Sequence, residues 1–381
     1  MPDAPVSLIP TDDPAAPPTD AIGLCLSGGG YRAMVFHVGA LWRLLETGML
    51  QRLSRISSVS GGSIAAATLA LAWPDLAGAE GRDAFLTKVV EPLRGLAGET
   101  IDADAIILGI ALPGRISDRI AAAYKSCLFG DATLQALPDA PRFVINATNV
   151  QSGALWRFSK PYMADWRVGM VERAKIPLAQ AVAASSAFPP MLSPVEMRLD
   201  PKDFTPGSGQ DLQRPPFTSR VILSDGGVYD NLGLETVWKR CRTVLVSDGG
   251  GKMQPEEEPK SDWARHAYRV LDIVDNQVRA LRKRQLIDSY QAPAADRNHR
   301  LGAYWGIRTD IRNYRLSDAI PADLARTTAL AEVPTRLKRL DDETQERLIN
   351  WGYAVCDAAL RRHVEPGLTP SPELPYPTRG I

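Results

Sequence analysis

Short apolar runs alternate with amphipathic stretches of helical length over residues 22–74. "IGLCLS" (22–27) stops at Gly28-Gly29-Gly30, and "YRAMVFHVGALWRLLETG" then repeats apolar residues at helical spacing until Gly48. "RISSVS" (55–60) predicts a second strand, and "GSIAAATLALAW" a helix that breaks at Pro74. Two strand–turn–helix units in tandem predict a parallel sheet with helices on its faces.

Over 75–140 the pattern is helical but irregular, which predicts a helical insertion. Strand-like runs return at "RFVINATNV" (142–150), "ALWRFS" (154–159), "RVILSDGG" (220–227) and "TVLVSDGG" (243–250). The polar loop "DPKDFTPGSGQDLQRPP" (200–216) is expected to be mobile or to sit at the mouth of a site. A long helix follows, with Trp263, Ala267, Val270, Leu271, Val274, Val278 and Leu281 on one stripe, expected to face the core. Arg279, Arg282, Lys283 and Arg284 near its end suit the helix dipole and predict a solvated basic face. The organisation expected is a Pro-rich tail over 1–20, an α/β core over 21–260 and a helical extension over 261–381 packed on that core.

With 381 residues, 45% of them hydrophobic, the chain can bury a large core. Lys and Arg number 44 and Asp and Glu 44, so no global field favours nucleic acid, and none is expected as a partner. The N-terminus lacks the pattern of a secretory signal. The best membrane-span candidate, "AIILGIALPG" (105–114), is far shorter than the roughly 18 residues a span needs. Cys25, Cys127, Cys241 and Cys356 are scattered without CxxC spacing, which predicts buried reduced thiols, no zinc site and a cytoplasmic protein.

The chemistry concentrates at the turns. Gly28 to Ala33 formally fits a dinucleotide fingerprint, but the next strand, "RISSVS", ends without the acid that would hold a ribose. Such a turn also presents backbone N–H groups, beside a helix N-terminus, to a developing negative charge. Among the serines of "RISSVSGGS", Ser57 and Ser58 lie within the strand and Ser63 suits a helix cap. Ser60 falls on the strand-to-helix turn, before Gly61 and Gly62, where a nucleophile is exposed. A base is then required. His266 and His299 would formally complete a Ser–Asp–His set with Asp225, but neither sits in a recognisable motif, and His37 lies within the first helix. Asp225 and Asp248, each in an "SDGG" turn, are the acidic candidates for a Ser–Asp dyad, and residue chemistry alone leaves both open.

These blocks together resemble the patatin-like phospholipase family. "LSGGGYRAMVFHVGAL" resembles its glycine-rich block, "SSVSGGS" its GxSxG elbow and "SDGGVYDNLG" its Asp-Gly-Gly block; "INATNVQSGALWRFS" and "AVAASSAFPPMLSPV" resemble intermediate blocks. The resemblance spans Ile22 to Gly250. It implies a three-layer α/β/α fold with a mainly parallel sheet, and a lipid acyl hydrolase of phospholipase A or lysophospholipase type that needs no metal or other cofactor. Carried over by position, it makes Ser60 the nucleophile, Asp225 the base, and Gly28, Gly29 and Gly30 the oxyanion donors. Arg32 is then either a support for that loop or a contact to lipid phosphate. Ser58 and Gly62 flank the elbow, with Ser58 standing where the family has glycine and Ser27 where it has an acid. The expected partners are a lipid or acyl ester substrate and, transiently, a membrane surface, with "AIILGIALPG" or "AFPPMLSPV" forming the apolar route. The alternatives are an acyltransferase and a non-catalytic lipid- or protein-binding module on the same fold.

Overall fold

The computed structural model describes residues 18–101, 115–190 and 192–381. One ten-stranded sheet runs through them. Strand β1 (Thr19–Leu26) lies between β2 (Leu53–Val59) and β9 (Cys241–Asp248), with β3 (Arg142–Asn149) beyond β2 and β10 (Leu301–Gly306) beyond β9. These five are parallel. Past β3 the sheet continues antiparallel through β4 (Ala154–Phe158), β5 (Tyr162–Asp165) and β6 (Gly169–Glu172). Strand β8 (Arg220–Asp225) also pairs antiparallel with β3 and carries β7 (Val195–Arg198) on its far edge.

The three layers follow from the period of two along each strand. Leu24, Leu26 and Leu245 face the main core, under helix α1 (Gly30–Glu46) and α2 (Gly61–Ala72). Cys25, Val244 and Val246 face the opposite side and pack with Leu232, Leu234, Val237 and Leu286. The described residues of the insertion include α3 (Gly81–Phe85), a π turn, α4 (Glu91–Ala97) and α5 (Arg115–Tyr124). Helix α6 (Leu178–Ser185) packs against β3, and the short helices α7 (Gly227–Asp230) and α8 (Glu235–Trp238) follow β8.

After residue 260 come α9 (Trp263–Gln291), then β10 as an edge strand of the same sheet, α10 (Leu324–Glu332) and α11 (Asp342–His363). The C-terminal stretch therefore adds a strand as well as helices. Helix α11 lies against α1 so closely that a Cβ on Gly39 would sit 1.9 Å from the Ile349 carbonyl oxygen, and one on Gly352 2.0 Å from that of Phe36. Glycine at both positions is what permits this approach.

Two expectations fail along α9. Most of the stripe assigned to the core points outward: Trp263 is 85% exposed, Ala267, Val270, Val274 and Leu281 are exposed as well, and Leu271 and Val278 are half-buried. The basic cluster is largely tied down instead of solvated. Arg279 is buried against Asp248, Arg282 pairs with Glu235 and Lys283 lies over the Tyr304 ring, leaving Arg284 exposed. Periodicity reveals that a helix has two faces; it does not say which one meets the protein. Of the four cysteines, all free, Cys127 is exposed, contrary to expectation, and the other three are buried. "AIILGIALPG" (105–114) lies outside the described residues, as do residues 1–17 of the tail. No helix among the described residues is long and apolar enough to cross a membrane.

Candidate functional site

Strands β2 and β8 meet head to head. Val59, the last residue of β2, pairs with Asn146, and Asp225, the last residue of β8, pairs with Ala147, one step further along β3. Strand β4 occupies the other edge of β3 over the same stretch, so β2 and β8 share one edge. This topology sets Ser60, the residue after β2, beside Asp225. The Ser60 backbone has φ 53° and ψ −122°, a conformation costing a non-glycine residue roughly 1–3 kcal/mol. The surroundings hold it there. Ser60 N donates to Ser185 Oγ at 3.0 Å, and the Ser63 and Ile64 amides donate to its carbonyl. A Cβ on Gly61 would lie 2.1 Å from the Gly30 carbonyl oxygen, so only glycine lets the elbow touch the glycine loop.

Asp225 is 2% exposed. Its amide donates to the Ala187 carbonyl, its carbonyl accepts from Thr148 Oγ1, and Oδ1 accepts from the Gly227 amide at 2.7 Å. Oδ2 has no aligned hydrogen-bond partner among the described residues. Burial pushes the carboxyl up to about 7, against the pull of the Gly227 amide and the Ser60 hydroxyl, and Asp275 on α9 adds to the rise. An acid held near neutrality beside a hydroxyl is poised to accept its proton.

The glycine loop leaves β1 and enters α1. A Cβ on Gly28 would lie 3.2 Å from that of Ser60, which places the loop over the elbow. Gly28 N donates to both the backbone oxygen and Oδ1 of Asn231, each at 3.0 Å, so its N–H is already engaged. No such bond occupies the Gly29 or Gly30 amide among the described residues. Arg32 is buried. It donates to the Gly249 carbonyl, the Val333 carbonyl and Thr335 Oγ1, clamping the loop to the segment 333–336, whose Arg336 carbonyl accepts from Tyr31 N. These bonds engage its guanidinium within the protein, beside the loop.

The rival residues fall elsewhere. Asp248 is also buried, yet Arg279, the Tyr304 hydroxyl and the Gly250 amide outweigh the burial penalty and hold its carboxyl down at about 2. His37 bridges Ser247 and the Ser27 carbonyl, and burial lowers it to about 4. His299 bonds the Ala292 carbonyl, and His266 is exposed on α9. Ser63 does not cap α2; its hydroxyl bonds Ser58 and Ser185. Ser58 fits in place of the expected glycine by donating to the Val144 carbonyl at 3.3 Å. Gly62 passes so near β1 that a Cβ there would lie 2.4 Å from the Leu26 carbonyl oxygen.

Ser185, Thr148 and Asp275 bear on the site without having been singled out from the sequence. The small-residue run "AVAASS" was the available signal for Ser185, since only small side chains pack this close to the elbow. The loop 200–216 is held by its own bonds, among them Gln213 Nε2 to the Thr205 carbonyl, and its Gln210 and Asp211 line a cavity of about 390 Å³ with Trp166, Arg167 and Tyr229.

The sequence profile of the Patatin-like phospholipase family matches residues 24–238, the stretch that holds the elbow, the glycine loop and Asp225. The chain belongs to the patatin-like phospholipase family. Human GIVD cytosolic phospholipase A2 has the same fold, with a TM-score of 0.52 at 14% identity over 88% of this chain and 60% of that one. Its complex with methyl gamma-linolenyl fluorophosphonate superposes with a TM-score of 0.51 at 15% identity, over 89% of this chain and 57% of the other. The patatin-like chain described here thus spans about three-fifths of the length of those structures. Among curated proteins none matches the sequence significantly.

Proposed function

We propose that the protein is a serine-dependent lipid acyl hydrolase, of phospholipase A or lysophospholipase type, with Ser60 and Asp225 as its dyad. One observation carries this reading: a serine in a strained elbow adjoins a buried carboxyl raised to about 7, with one carboxyl oxygen lacking an aligned partner. Asp225 accepts the proton of Ser60 as Oγ bonds to the ester carbonyl carbon. The carbonyl oxygen takes up the negative charge, met by the Gly29 and Gly30 amides at the N-terminal end of α1. Asp225 then returns the proton to the departing alcohol. Water, deprotonated by the same carboxylate, attacks the acyl carbon, and Ser60 is released with its proton as the fatty acid leaves.

The lipid character of the substrate rests on family membership and on the partly exposed Phe188 and Leu192 of "AFPPMLSPV", next to the residue that anchors the Asp225 amide. Reduced cysteines support a cytoplasmic setting. A fluorophosphonate probe tests the dyad: wild type should gain one label by intact mass, and Ser60→Ala none. A folded wild type that stays unlabelled, with and without liposomes, would remove the catalytic reading in favour of a binding module on the same fold.

A further inference from the structure

The glycine loop is gripped at both ends. Gly28 N donates to the carbonyl oxygen and Oδ1 of Asn231, each at 3.0 Å, and Tyr31 N donates to the Arg336 carbonyl. Between these anchors lie Gly29 and Gly30, with φ of 143° and 61°. Consecutive glycines have little stiffness of their own, so such a turn keeps its shape through what holds its ends. Donors that must meet a developing charge work best when already fixed in place.

Asn231 follows α7 and lies between the two halves of the site. A Cβ on Gly28 would fall 2.4 Å from its Oδ1, and one on Gly227 3.3 Å from its Cγ. Helix α9 packs against α7 and brings Asp275 to the same side chain, whose amide group donates to the carboxyl. Burial raises Asp275 to about 6, with Asp272 adding to the rise, while Arg279 and the Asn231 amide pull it down. Above that pH it is a carboxylate and only accepts hydrogen bonds. An asparagine amide has one oxygen and one nitrogen, and rotation about χ2 exchanges their places. With the nitrogen committed to Asp275, the oxygen is the end left for Gly28. By charge alone an acid here opposes an oxyanion and raises Asp225, so any gain from it must come through this bond. Asp275 lies beyond residues 24–238 matched by the family profile, and the C-terminal stretch supplies it.

We propose that Asn231 is a positioning residue for the oxyanion loop and that Asp275 sets it: by claiming the amide nitrogen, Asp275 leaves Oδ1 to pin Gly28 and with it the turn that presents Gly29 and Gly30. This rests on the hydrolase reading of Ser60 and that loop. It makes α9 a part of the oxyanion machinery, acting through Asn231 and touching no substrate.

Two readouts on the full chain test it. The first is hydrogen exchange of the Gly28 amide by NMR, which needs no turnover. Asp275→Ala and Asn231→Ala should each speed this exchange several-fold, and Asp275→Asn, which keeps an acceptor oxygen, should leave it near wild type. The second is steady-state hydrolysis of a soluble short-chain p-nitrophenyl ester at about pH 8.5, above the limb set by Asp225. Asp275→Ala and Asn231→Ala should each lower kcat roughly tenfold with little change in KM, and the double variant should be no slower than Asn231→Ala. Asp275→Asn should retain most of kcat, although both Asp275 variants move the acid limb equally, having lost the same charge. Matching kcat losses in Asp275→Ala and Asp275→Asn, losses that multiply in the double variant, or Gly28 exchange unchanged in Asp275→Ala overturn the proposal. Exchange that follows the expected pattern in a protein without turnover refutes the hydrolase reading and leaves the positioning intact. Turnover with unchanged exchange in every variant refutes the positioning alone.

Discussion

The molecule carries the tetrapeptide Ser-Asp-Gly-Gly twice, at the ends of β8 and β9, and the two aspartates have opposite fates. Both are buried, at 2% exposed for Asp225 and 1% for Asp248. Each receives an amide from the second glycine of its turn, Gly227 at 2.7 Å and Gly250 at 2.9 Å. The local chemistry is the same. Asp248 also has a cation, Arg279, and the Tyr304 hydroxyl, and its carboxyl falls to about 2. Asp225 has no cation against it, so burial carries its carboxyl up to about 7 despite the Gly227 amide and the Ser60 hydroxyl, with a small push from Asp275. One acid is a structural ion-pair member and the other stays uncompensated, and the difference comes from Arg279 and Tyr304, which reach only Asp248 while burial acts on both.

Exchanging the chemistry of the two acids should break the comparison most sharply. Asp225→Asn and Ser60→Ala should each lower ester turnover by roughly a thousandfold or more, while Asp248→Asn, if folded, should keep most of it. Steady-state rates on one soluble ester decide this. Equal losses in Asp225→Asn and Asp248→Asn would erase the distinction.

Removing the cation should expose the opposite dependence in stability. Arg279→Ala strands a buried carboxylate and should destabilise the fold by roughly 3–5 kcal/mol in urea titration. The pH linkages of the two acids have opposite signs. The contribution of Asp248, with its depressed pKa, is present above the unfolded value of about 3.9 and is lost as pH falls through about 2. That of Asp225, with its raised pKa, is full below about 3.9 and is lost as pH climbs through about 7. Asp225→Asn should therefore be more stable than wild type at pH 8 by roughly 1–3 kcal/mol, and this gain should vanish near pH 4.

Turnover itself should follow the ionised fraction of Asp225. The acid limb of kcat/KM should lie at about pH 7, with a tenfold fall per unit below it. A limb near 4 would assign the base role to an acid of ordinary pKa. The smallest expected effect is that of Asp275→Asn, which removes a nearby negative charge and should move this limb downward by less than about one unit.

Much of the site was legible because its requirements are local. A serine on a sharp strand-to-helix turn needs small neighbours, and "SVSGGS" supplies them. The strand runs that end at Leu26, Val59, Asp225 and Asp248 were also visible, since each is apolar up to a turn of glycine or serine. The short strands β5, β6 and β7 were not, being four residues each and too brief for alternation to register. Nor was the contact of α1 with α11, although Gly39 and Gly352 stand in the sequence. A glycine inside a helix announces a close approach only when the partner helix is known.

Along the chain alone, the succession of strands and glycine turns determined a layered α/β architecture and put Ser60 at an elbow, because side-chain periodicity and backbone freedom act over a few residues. Which aspartate lies beside Ser60, which way α9 turns most of its apolar stripe, and which groups Arg32 bonds were decided only in three dimensions. Those outcomes depend on charges and packing contributed by residues far apart in sequence. Burial and a neighbouring ion move a carboxyl by several pKa units in either direction, and neither is written into the tetrapeptide that carries it.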